Sequence, residues 1–433
     1  MAENLIVLLV GKGAREHALA WKLSQAPSVK KVLVFPGNAG TEQGHPKVSN
    51  LETNFETTDY RQLAELATDI GVGLVVVGPD DAVVDGIEGF FKDVGIPCFA
   101  PTKQAAKLEG SKTFAKDFMA KYNIPTAAYQ NFDDIESAKA YVQGVEHRVV
   151  IKADGLAAGK GVALPETKQE AFSELDSIMK VDGKFSAAGS SVVIEEFMEG
   201  DEISIPTFSD GKTFRSLPPG QDHKRVFEGN KRPNTGGMGV YSPVPFATQN
   251  VLDEIDKSVL QPTFDGLKKE GRPFVGFLFT GVMITAQGPK VIEYNVRFGD
   301  PETQSAMMLL SEDTDLATVL LACTSGTLSQ ANLSMRSGFA CNVVIASQGY
   351  PGKYVTGVLI TLQTCPDGVQ VFHAGPFRDK DGRLRTGGGR VFSVAAWGST
   401  LQEAVEAAYE GTKSVHFDGM FSRKDIASRC LLP

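Results

Sequence analysis

The sequence predicts an α/β protein that opens with a doubly wound parallel unit and continues into further domains. Leu5 to Val10 is an unbroken apolar run, and a glycine turn and a helical pattern ending near Leu23 follow it. Val32 to Phe35 and Leu74 to Val77 repeat the buried-strand pattern, each ending in turn residues. The 433 residues exceed what one hydrophobic core supports and indicate about two to four domains.

The composition excludes several function classes. With 42% hydrophobic and 22% charged residues and a net charge of −9, the chain has no bulk attraction for nucleic acid or an anionic membrane. Five scattered cysteines form no C-x-x-C pair, which argues against a disulfide framework and a zinc knuckle and fits a reducing cytoplasm. The N-terminus has no basic region before its short apolar run, so we predict neither a signal peptide nor a membrane span. These observations favour small-molecule chemistry.

The first glycine turn is a candidate phosphate site. Gly11 and Gly13 permit close backbone approach at a helix N-terminus, and Arg15 adds a cation. A dinucleotide fingerprint is not favoured, because Glu16 occupies the third glycine position and no acid follows the second strand. A sugar phosphate is therefore the better ligand, and a plain strand-to-helix turn is the alternative.

A second candidate phosphate site follows a new helix. The segment after Leu108 predicts a Ser-capped helix that ends before Pro125. Strands at 149–152 and 162–164 then flank the glycine-rich loop 153–161, whose N–H groups could cover phosphates with help from Lys152 and Lys160. No Walker sequence occurs, which excludes the P-loop class. A solvated hairpin is the alternative for this loop.

Polar residues at later turns extend the candidate site. A strand at 191–197 ends in Glu195 and Glu196, and Glu202 follows; these groups suit adenine and ribose, or form a solvated strand end. The cluster 222–225 and the glycine-rich segment 233–239 show no regular periodicity and predict loops, either site-building or plain surface loops.

The hairpin at 281–303 carries the most specific pattern. Two half-buried strands are predicted around the turn 287–289, and Glu293, Asn295 and Arg297 then alternate so that all three leave one face. A carboxylate and an amide oxygen are hard ligands suited to Mg²⁺, and a guanidinium beside them suits an anionic substrate. Asp300 and Glu302 add acceptors in a tight Gly-Asp-Pro-Glu turn.

The C-terminal part is predicted to be β-rich. Strands are expected at 339–346, 355–362, 370–373 and 390–394, followed by a helix over 401–413. His373, Gly375 and Arg390 lie at the loops between these elements. His373 is interpreted as a structural hydrogen-bonding group rather than a catalyst.

Taken together, the motifs resemble the phosphoribosylamine–glycine ligases, also called glycinamide ribonucleotide synthetases, of the ATP-grasp superfamily. The resemblance covers residues 11 to 391 and rests on these segments in order: GKGAREHALAWKL, PGNAGT, EGSKTFAKDFM, VVIKADGLAAGKGV, VVIEEF, DHKR, PNTGGMGVYSP, EYNVRFGDPETQ, GYPGKY, FHAG and TGGGRV.

The resemblance implies an ATP-grasp fold with a doubly wound N-terminal domain (1–107), an ATP-grasp domain (108–335, with a lid subdomain near 126–197) and a small β-rich C-terminal domain (336–433). It also implies ATP-dependent ligation of glycine to 5-phosphoribosylamine in de novo purine biosynthesis, with Mg²⁺ or Mn²⁺, in the cytoplasm. A transient contact with the enzyme that supplies phosphoribosylamine is part of the same expectation.

The resemblance assigns roles residue by residue. Arg297 and Asp300 would face the substrates as catalytic residues, and Glu293 and Asn295 would bind the metal. The ATP site would comprise Lys112, Lys152, Glu195, Glu196, Phe197, Met198, Glu202, Arg225 and Asn234. The phosphoribosylamine site would comprise Gly11, Gly13, Arg15, Glu16, His17 and Asn38.

Two segments depart from the family pattern. Gly11-Lys12-Gly13-Ala14 replaces a Gly-Asn-Gly-Gly start, and residues 228–232 replace an acidic, glycine-rich turn. Three rival functions remain at this stage. An NAD-dependent oxidoreductase is opposed by Glu16, a biotin carboxylase would share the fold and the ATP site, and a nucleotide-sensing module would bind ATP without turnover.

Overall fold

The N-terminal part of the chain forms a parallel sheet of five strands in the order β3-β2-β1-β4-β5. The computed structural model describes residues 4–42, 45–155, 161–179 and 190–431. The first elements are β1 (Leu5–Gly11), α1 (Ala14–Gln25), β2 (Val29–Pro36), β3 (Val48–Asn50), α2 (Tyr60–Ile70), β4 (Leu74–Val77), α3 (Asp80–Asp85), α4 (Ile87–Asp93) and β5 (Cys98–Phe99). The predicted doubly wound unit is confirmed, and the strand order reverses between β1 and β4, where ligands of such sheets bind.

A second, antiparallel sheet follows, in the order β6-β9-β7-β8. Its elements are α5 (Lys107–Gly110), α6 (Lys112–Lys121), β6 (Tyr129–Phe132), α7 (Ile135–Gly144), β7 (Val149–Ala153), β8 (Val162–Ala163), α8 (Lys168–Met179) and β9 (Val192–Glu196). The Ser111 hydroxyl accepts a hydrogen bond from Phe114 N, as the predicted cap requires. This sheet packs α7 and α8 over a small core of its own.

The predicted hairpin belongs to a third sheet, of order β11-β10-β16-β17. The elements here are β10 (Asp201–Asp210), β11 (Phe214–Ser216), β12 (Gln221–Asp222), β13 (Arg225–Phe227), β14 (Lys231–Asn234), β15 (Gly239–Ser242), α9 (Gln249–Ile255), a π-helical turn (Asp256–Leu260), α10 (Gln261–Lys269), β16 (Val275–Thr285) and β17 (Gly288–Asn295). The loop prediction for 222–225 and 233–239 is wrong in part, because β12 to β15 form short strands there. These strands are two to four residues long, and β15 pairs with the distant β18, so no local periodicity revealed them.

The C-terminal part closes around a six-stranded sheet. Its elements are α11 (Glu302–Leu309), α12 (Leu316–Ser325), β18 (Phe339–Ser347), β19 (Thr361–Leu362), β20 (Val369–His373), β21 (Phe377–Arg378), β22 (Leu384–Arg385), β23 (Arg390–Gly398), α13 (Leu401–Thr412), β24 (Val415–His416), β25 (Met420–Phe421) and α14 (Ser428–Leu431). The sheet also recruits β12 and β15 from the middle of the chain. The predicted strand at 355–362 is limited to its last two residues, in β19.

The N-terminal and C-terminal parts share one continuous apolar core. Leu8 and Val75 from the first sheet belong to the same buried cluster as Val343 and Val394 from the C-terminal sheet. None of the helices in the described ranges is long and apolar enough to cross a membrane. The shared core fixes the loops of the separate sheets relative to one another, and these loops build the site.

Candidate active site

The predicted alternation along β17 is present. Tyr294, Val296 and Phe298 are buried, whereas Glu293, Asn295 and Arg297 are each partly exposed on the opposite face. The pairing of Gly281 with Glu293 and of Phe279 with Asn295 fixes the register of this row against β16. Arg297 donates to Asn295 Oδ1 at 3.0 Å and lies 3.3 Å from a Glu109 carboxylate oxygen. The strand pairing with β16 therefore fixes the backbone of this row, and Asn295 and Glu109 fix the Arg297 guanidinium.

A cluster of charges surrounds Glu293. The Lys224 ammonium lies 3.2 Å from Glu293 Oε1 and also pairs with Glu202. Lys224, against the opposing effect of burial, lowers the pKa of Glu293 to about 2. Burial, with the carboxylates of Glu202 and Glu293 nearby, raises the pKa of Asp222 to about 6. Burial and the neighbouring Asp222 raise the pKa of Glu302 to about 8.

This donor set fits a hard divalent cation. An ionised Glu293 and the Asn295 amide oxygen are oxygen ligands, and the Glu202 carboxylate shares Lys224 with Glu293. The described part of the chain holds no group of three His, Cys, Asp or Glu side chains arranged around one metal position. Such a partial set suits Mg²⁺, which usually takes its remaining ligands from phosphates and water.

Two predicted ATP-site lysines lie beside this row. Lys112 Nζ donates to Gly155 O at 3.1 Å, and burial lowers its pKa although Glu293 opposes the shift. Lys152 Nζ donates to Ile292 O at 2.8 Å, next to Glu293 in sequence. The glycine-rich loop between β7 and β8 lies largely at 156–160, outside the described residues, and Lys160 lies there with it.

The predicted role of Glu195 in adenine binding suggests a carboxylate that is open to a ligand, but the Glu195 carboxylate is buried and paired with two lysines. Its carboxylate is 2% exposed and lies 2.8 Å from Lys152 Nζ and 3.1 Å from Lys116 Nζ. Glu196 accepts from Ala128 N at 3.1 Å, and Phe197 packs its ring against the Arg148 guanidinium. The adenine contact at 195–198 stays a prediction, and the engaged carboxylates leave main-chain groups to make it.

The other predicted ATP contacts lie on neighbouring strands. Glu202, on β10, points its carboxylate at Lys224, and its carbonyl accepts from Gln221 Nε2. Arg225 and Asn234 face each other across the two-stranded ribbon of β13 and β14. The base of this ribbon is closed where Thr235 N donates to Lys224 O at 2.7 Å. The fold thus gathers these residues around Lys224.

The N-terminal glycine turn is organised by Glu16. This carboxylate is 1% exposed, accepts from Gly13 N at 2.6 Å and pairs with Arg15 Nε at 2.6 Å. Arg15 also donates to Phe298 O at 3.0 Å, which ties the turn to the polar row. Glu16 is therefore engaged beneath the turn, and its predicted contact with phosphoribosylamine stays a prediction.

Gly78 provides a direct test of this arrangement. A Cβ at Gly78 would overlap Glu16 Oε1, whereas a Cβ at Gly89, inside α4, meets nothing within 4 Å. We expect Gly78→Ala to lower the free energy of unfolding by about 2 to 3 kcal/mol through overpacking. Gly89→Ala, the matched control, should be neutral or slightly stabilising. Equal unfolding midpoints for the two variants in urea would contradict the packing described for Glu16.

His17 and Asn38 bind the C-terminal sheet instead of standing free. His17 Nδ1 accepts from His373 N at 3.0 Å, and Asn38 Nδ2 donates to His373 O and Lys12 O, both at 2.8 Å. Asn38 Oδ1 accepts from Gly40 N at 2.7 Å. Both contacts use main-chain atoms of His373, and among the described residues its buried Nδ1 has no hydrogen-bond partner, so they do not support the interpretation of His373 as a structural hydrogen-bonding side chain. They show that His17 and Asn38 join the N-terminal and C-terminal parts of the chain; their binding of substrate stays a prediction.

The His17 contact predicts a loss of stability in acid. Burial, with His373 nearby, lowers the pKa of His17 from 6.5 to about 3. As the pH falls, His17 is therefore protonated in the unfolded chain before it is protonated in the folded chain. The stability that the neutral His17 contributes above pH 6.5 is lost as the pH falls from 6.5 toward about 3. The loss is at most about 1.4 kcal/mol per pH unit. His17→Asn, which keeps an acceptor for His373 N, should show a weaker fall in urea midpoint between pH 7 and 5; an unchanged pH dependence would contradict the assignment.

Asp300 lies where the three parts of the chain meet. Its carboxylate accepts from Gln304 at 3.0 Å and lies 3.4 Å from Arg390 Nη2, and a Cβ on Gly13 would lie 3.6 Å from Asp300 Oδ2. Burial opposes its ionisation, but Arg390 and Arg15 outweigh that effect and hold its pKa below the usual value. The carboxylate is thus ionised at the junction of the glycine turn, the polar row and the C-terminal sheet.

Three residues of this site received no role from the sequence. Arg390 donates to Gly236 O at 3.0 Å and to Asp300 O at 2.9 Å, and so joins two loops of the site. Glu109 supports Arg297 and accepts from Val296 N at 2.6 Å. Lys116 shares Glu195 with Lys152. The triple glycine before Arg390 is a signal that could have identified it, whereas nothing local distinguishes Glu109 or Lys116.

Three family models match the chain. They are described as the N domain (residues 5–109), the ATP-grasp (A) domain (residues 110–303) and the C domain (residues 340–429) of phosphoribosylglycinamide synthetase. A solved structure of a phosphoribosylamine–glycine ligase from Thermotoga maritima is 34% identical, covers 98% of this chain and 100% of its own, and has a TM-score of 0.83. The predicted ATP-grasp fold is thereby confirmed.

Relatives of two lengths are similar to the chain. A bifunctional purine biosynthetic protein of Schizosaccharomyces pombe is 51% identical over 100% of this chain, and the chain spans 54% of that relative's length. A phosphoribosylamine–glycine ligase of Vibrio cholerae is 46% identical, with 98% of each chain covered. By its full-length similarity and its three matching domain models, the chain belongs to the phosphoribosylglycinamide synthetase family.

Proposed function

We propose that the chain ligates glycine to 5-phosphoribosylamine with ATP, giving glycinamide ribonucleotide, ADP and phosphate, as a step of de novo purine biosynthesis. The observation that carries the proposal is the row Glu293, Asn295 and Arg297. The charge of Lys152 acts on Glu293 at one end of this row, and the charge of Arg297 acts on Asp300 at the other. A polyphosphate site and an anionic or amine substrate site therefore share one strand. Membership of an ATP-grasp family supports the use of ATP with a divalent metal ion.

The reaction needs no side-chain nucleophile. A carboxylate oxygen of glycine attacks the γ-phosphorus of ATP, the bond to the β–γ bridging oxygen breaks, and glycyl phosphate and ADP form. The amine nitrogen of phosphoribosylamine then attacks the carbonyl carbon, loses a proton, and inorganic phosphate leaves. The work of the protein is positioning and charge neutralisation, as is usual in phosphoryl transfer.

The charged side chains divide this work. Lys112, Lys152 and Lys224 surround Glu293 and would neutralise the phosphates. Glu293 and Asn295 would hold Mg²⁺ or Mn²⁺, which supplies Lewis-acid charge stabilisation to the phosphoryl group when bound. Arg297, supported by Glu109, would hold the glycine carboxylate. Asp300 would accept a hydrogen bond from the substrate amine at the junction with the N-terminal turn.

Phosphate release tests the proposal. ATP with Mg²⁺ is incubated with the chain and glycine, with freshly generated phosphoribosylamine, or with both. We expect rapid phosphate release and glycinamide ribonucleotide only when both are present. ATP binding without release in the presence of both would retain the ATP site and exclude this pair of substrates. Bicarbonate-dependent ATP hydrolysis stimulated by biotin would instead favour the carboxylase alternative.

The remaining assignments are part of the same proposal. The partners are two small molecules, with a transient contact to the enzyme that supplies phosphoribosylamine, whose amine is labile. The proposed location is the cytoplasm, because the five unpaired cysteines suit a reducing environment. The domain boundaries at 107/108 and 335/336 are proposed on the same basis, with 126–197 as the lid.

A further inference from the structure

The ribbon of β13 and β14, hereafter the 225–234 ribbon, protrudes beside the proposed ATP site. Its first and last residues, Arg225 and Asn234, face each other, and Lys224 at its base contacts Glu293. Its turn at Glu228–Asn230 contains two left-handed residues, Gly229 with φ 68° and Asn230 with φ 56°. Phe227 in the ribbon is 54% exposed. A two-stranded ribbon of this length is not stable on its own, so other parts of the chain must hold it.

A short C-terminal segment, residues 423–425, contacts this ribbon at four points. Arg423 Nη1 donates to Arg225 O at 3.0 Å and to Asn230 Oδ1 at 3.1 Å. Asp425 Oδ2 accepts from Gly229 N at 2.9 Å, and Glu228 Oε1 accepts from Lys424 N at 3.2 Å. The contacts reach both the start of β13 and its turn. They therefore fix the tilt of the ribbon as well as its position.

The segment itself is rigidly held. Arg423 is 2% exposed, and its guanidinium forms a bidentate pair with Asp425, with Nε–Oδ1 at 2.7 Å and Nη2–Oδ2 at 2.8 Å. The Tyr409 hydroxyl, on α13, donates to Arg423 O at 2.9 Å. A guanidinium engaged in this way has little rotamer freedom left, so its remaining N–H group points in a fixed direction.

We propose that Arg423, held by Asp425, is a positioning residue that sets the 225–234 ribbon over the phosphates of ATP. The inference rests on the proposed function in that ATP is the ligand beside Lys224 and Arg225. It also gives a role to Asn230 within the departure from the family pattern at 228–232, because Asn230 supplies an acceptor for Arg423 from a backbone conformation that asparagine tolerates. A residue of the C-terminal part thereby positions a ribbon that contacts ATP, although the C-terminal residue does not contact ATP itself.

Binding of ATP with Mg²⁺ to the full chain, measured by calorimetry without glycine or phosphoribosylamine, tests this role. Arg423→Lys loses the bidentate pair and should raise the Kd for ATP about tenfold. Asn230→Gly keeps the left-handed turn, removes one acceptor and should raise the Kd about threefold. The matched control is Arg385→Lys, because Arg385 pairs with Asp379 and donates to Gly357 O, neither of which belongs to the ribbon or to residues 423–425. The control should leave the Kd within about twofold of the original value.

The same variants separate positioning from general destabilisation. In the ligation assay, the KM for ATP should rise in Arg423→Lys while the KM for glycine stays within about twofold. A Kd for ATP unchanged in both Arg423→Lys and Asn230→Gly, or raised equally in Arg385→Lys, would overturn the inference. Because ATP binding is measured alone, failure of ligation in the unsubstituted chain would count against the proposed substrates and leave this comparison valid.

Discussion

Glu293→Gln should lower the rate of ligation by about a thousandfold while the chain stays folded. The substitution preserves the shape of the side chain and removes the charge that pairs with Lys224 at 3.2 Å. Because Lys224 holds the pKa of Glu293 at about 2, the carboxylate is fully ionised throughout the physiological range. The proposed metal site then loses its one ionised ligand on β17, and neutral glutamine is a poor replacement.

Glu270→Gln is the matched control for this change. Glu270 pairs with Lys121 at 2.6 Å and with Arg272 at 3.2 Å, so its neutralisation removes ion pairs that do not involve the row on β17. Its ligation rate should stay within about twofold, since none of the residues that Glu270 pairs with belongs to the proposed site. The measurement is phosphate release with both substrates, alongside the thermal midpoint of each variant. A rate for Glu293→Gln within tenfold of the original would remove Glu293 from the proposed metal site.

Asp300→Asn should lower ligation by about a hundredfold or more and leave ATP binding unchanged. Arg390 and Arg15 keep the Asp300 carboxylate ionised, and the pairing with Arg390 directs it toward Gly13. Asparagine retains one acceptor oxygen but loses the charge that balances the surrounding guanidinium groups. The loss should therefore appear in kcat/KM for phosphoribosylamine, and the Kd for ATP should not move.

Asp379→Asn is the corresponding control. Asp379 pairs with Arg385 in the C-terminal part, so the variant removes the same kind of Asp–Arg contact outside the site. Its kcat/KM for phosphoribosylamine should stay within about twofold. If Asp300→Asn weakens ATP binding as much as it weakens ligation, then Asp300 supports the nucleotide site and its assignment to the amine substrate is wrong.

Local patterns in the sequence were sufficient for the elements that carry the site. The period of two along β17 placed Glu293, Asn295 and Arg297 on one face, because alternation is a property of the extended backbone itself. The apolar runs of β1 and β4 with their glycine turns predicted the parallel sheet, because a strand buried on both faces needs apolar residues throughout. The Ser111 cap was equally local, since its partner lies three residues away.

Long-range partners were beyond the reach of the same reasoning. The short strands β12 to β15 have no periodicity of their own, and their pairing with β18 or with each other defines them. From the sequence, Glu195 is interpreted as a carboxylate at the end of a strand, open to a ligand or to solvent. In the fold, it is buried between Lys116 on α6 and Lys152 on β7. Such pairings arise only when separate elements pack together, and no spacing along the chain encodes them.

The sequence by itself thus determined the class of fold, the polar row on β17 and, through its ordered motifs, the family to which the chain belongs. Only the tertiary structure decided which polar side chains of the site are available to bind ligands and which are buried and hold other site residues in place. It turned Glu16 beneath its own turn, joined His17 to His373, and brought Arg390 to Asp300. The physical reason is that side-chain chemistry is local, whereas burial and pairing depend on the packing of residues far apart in the chain.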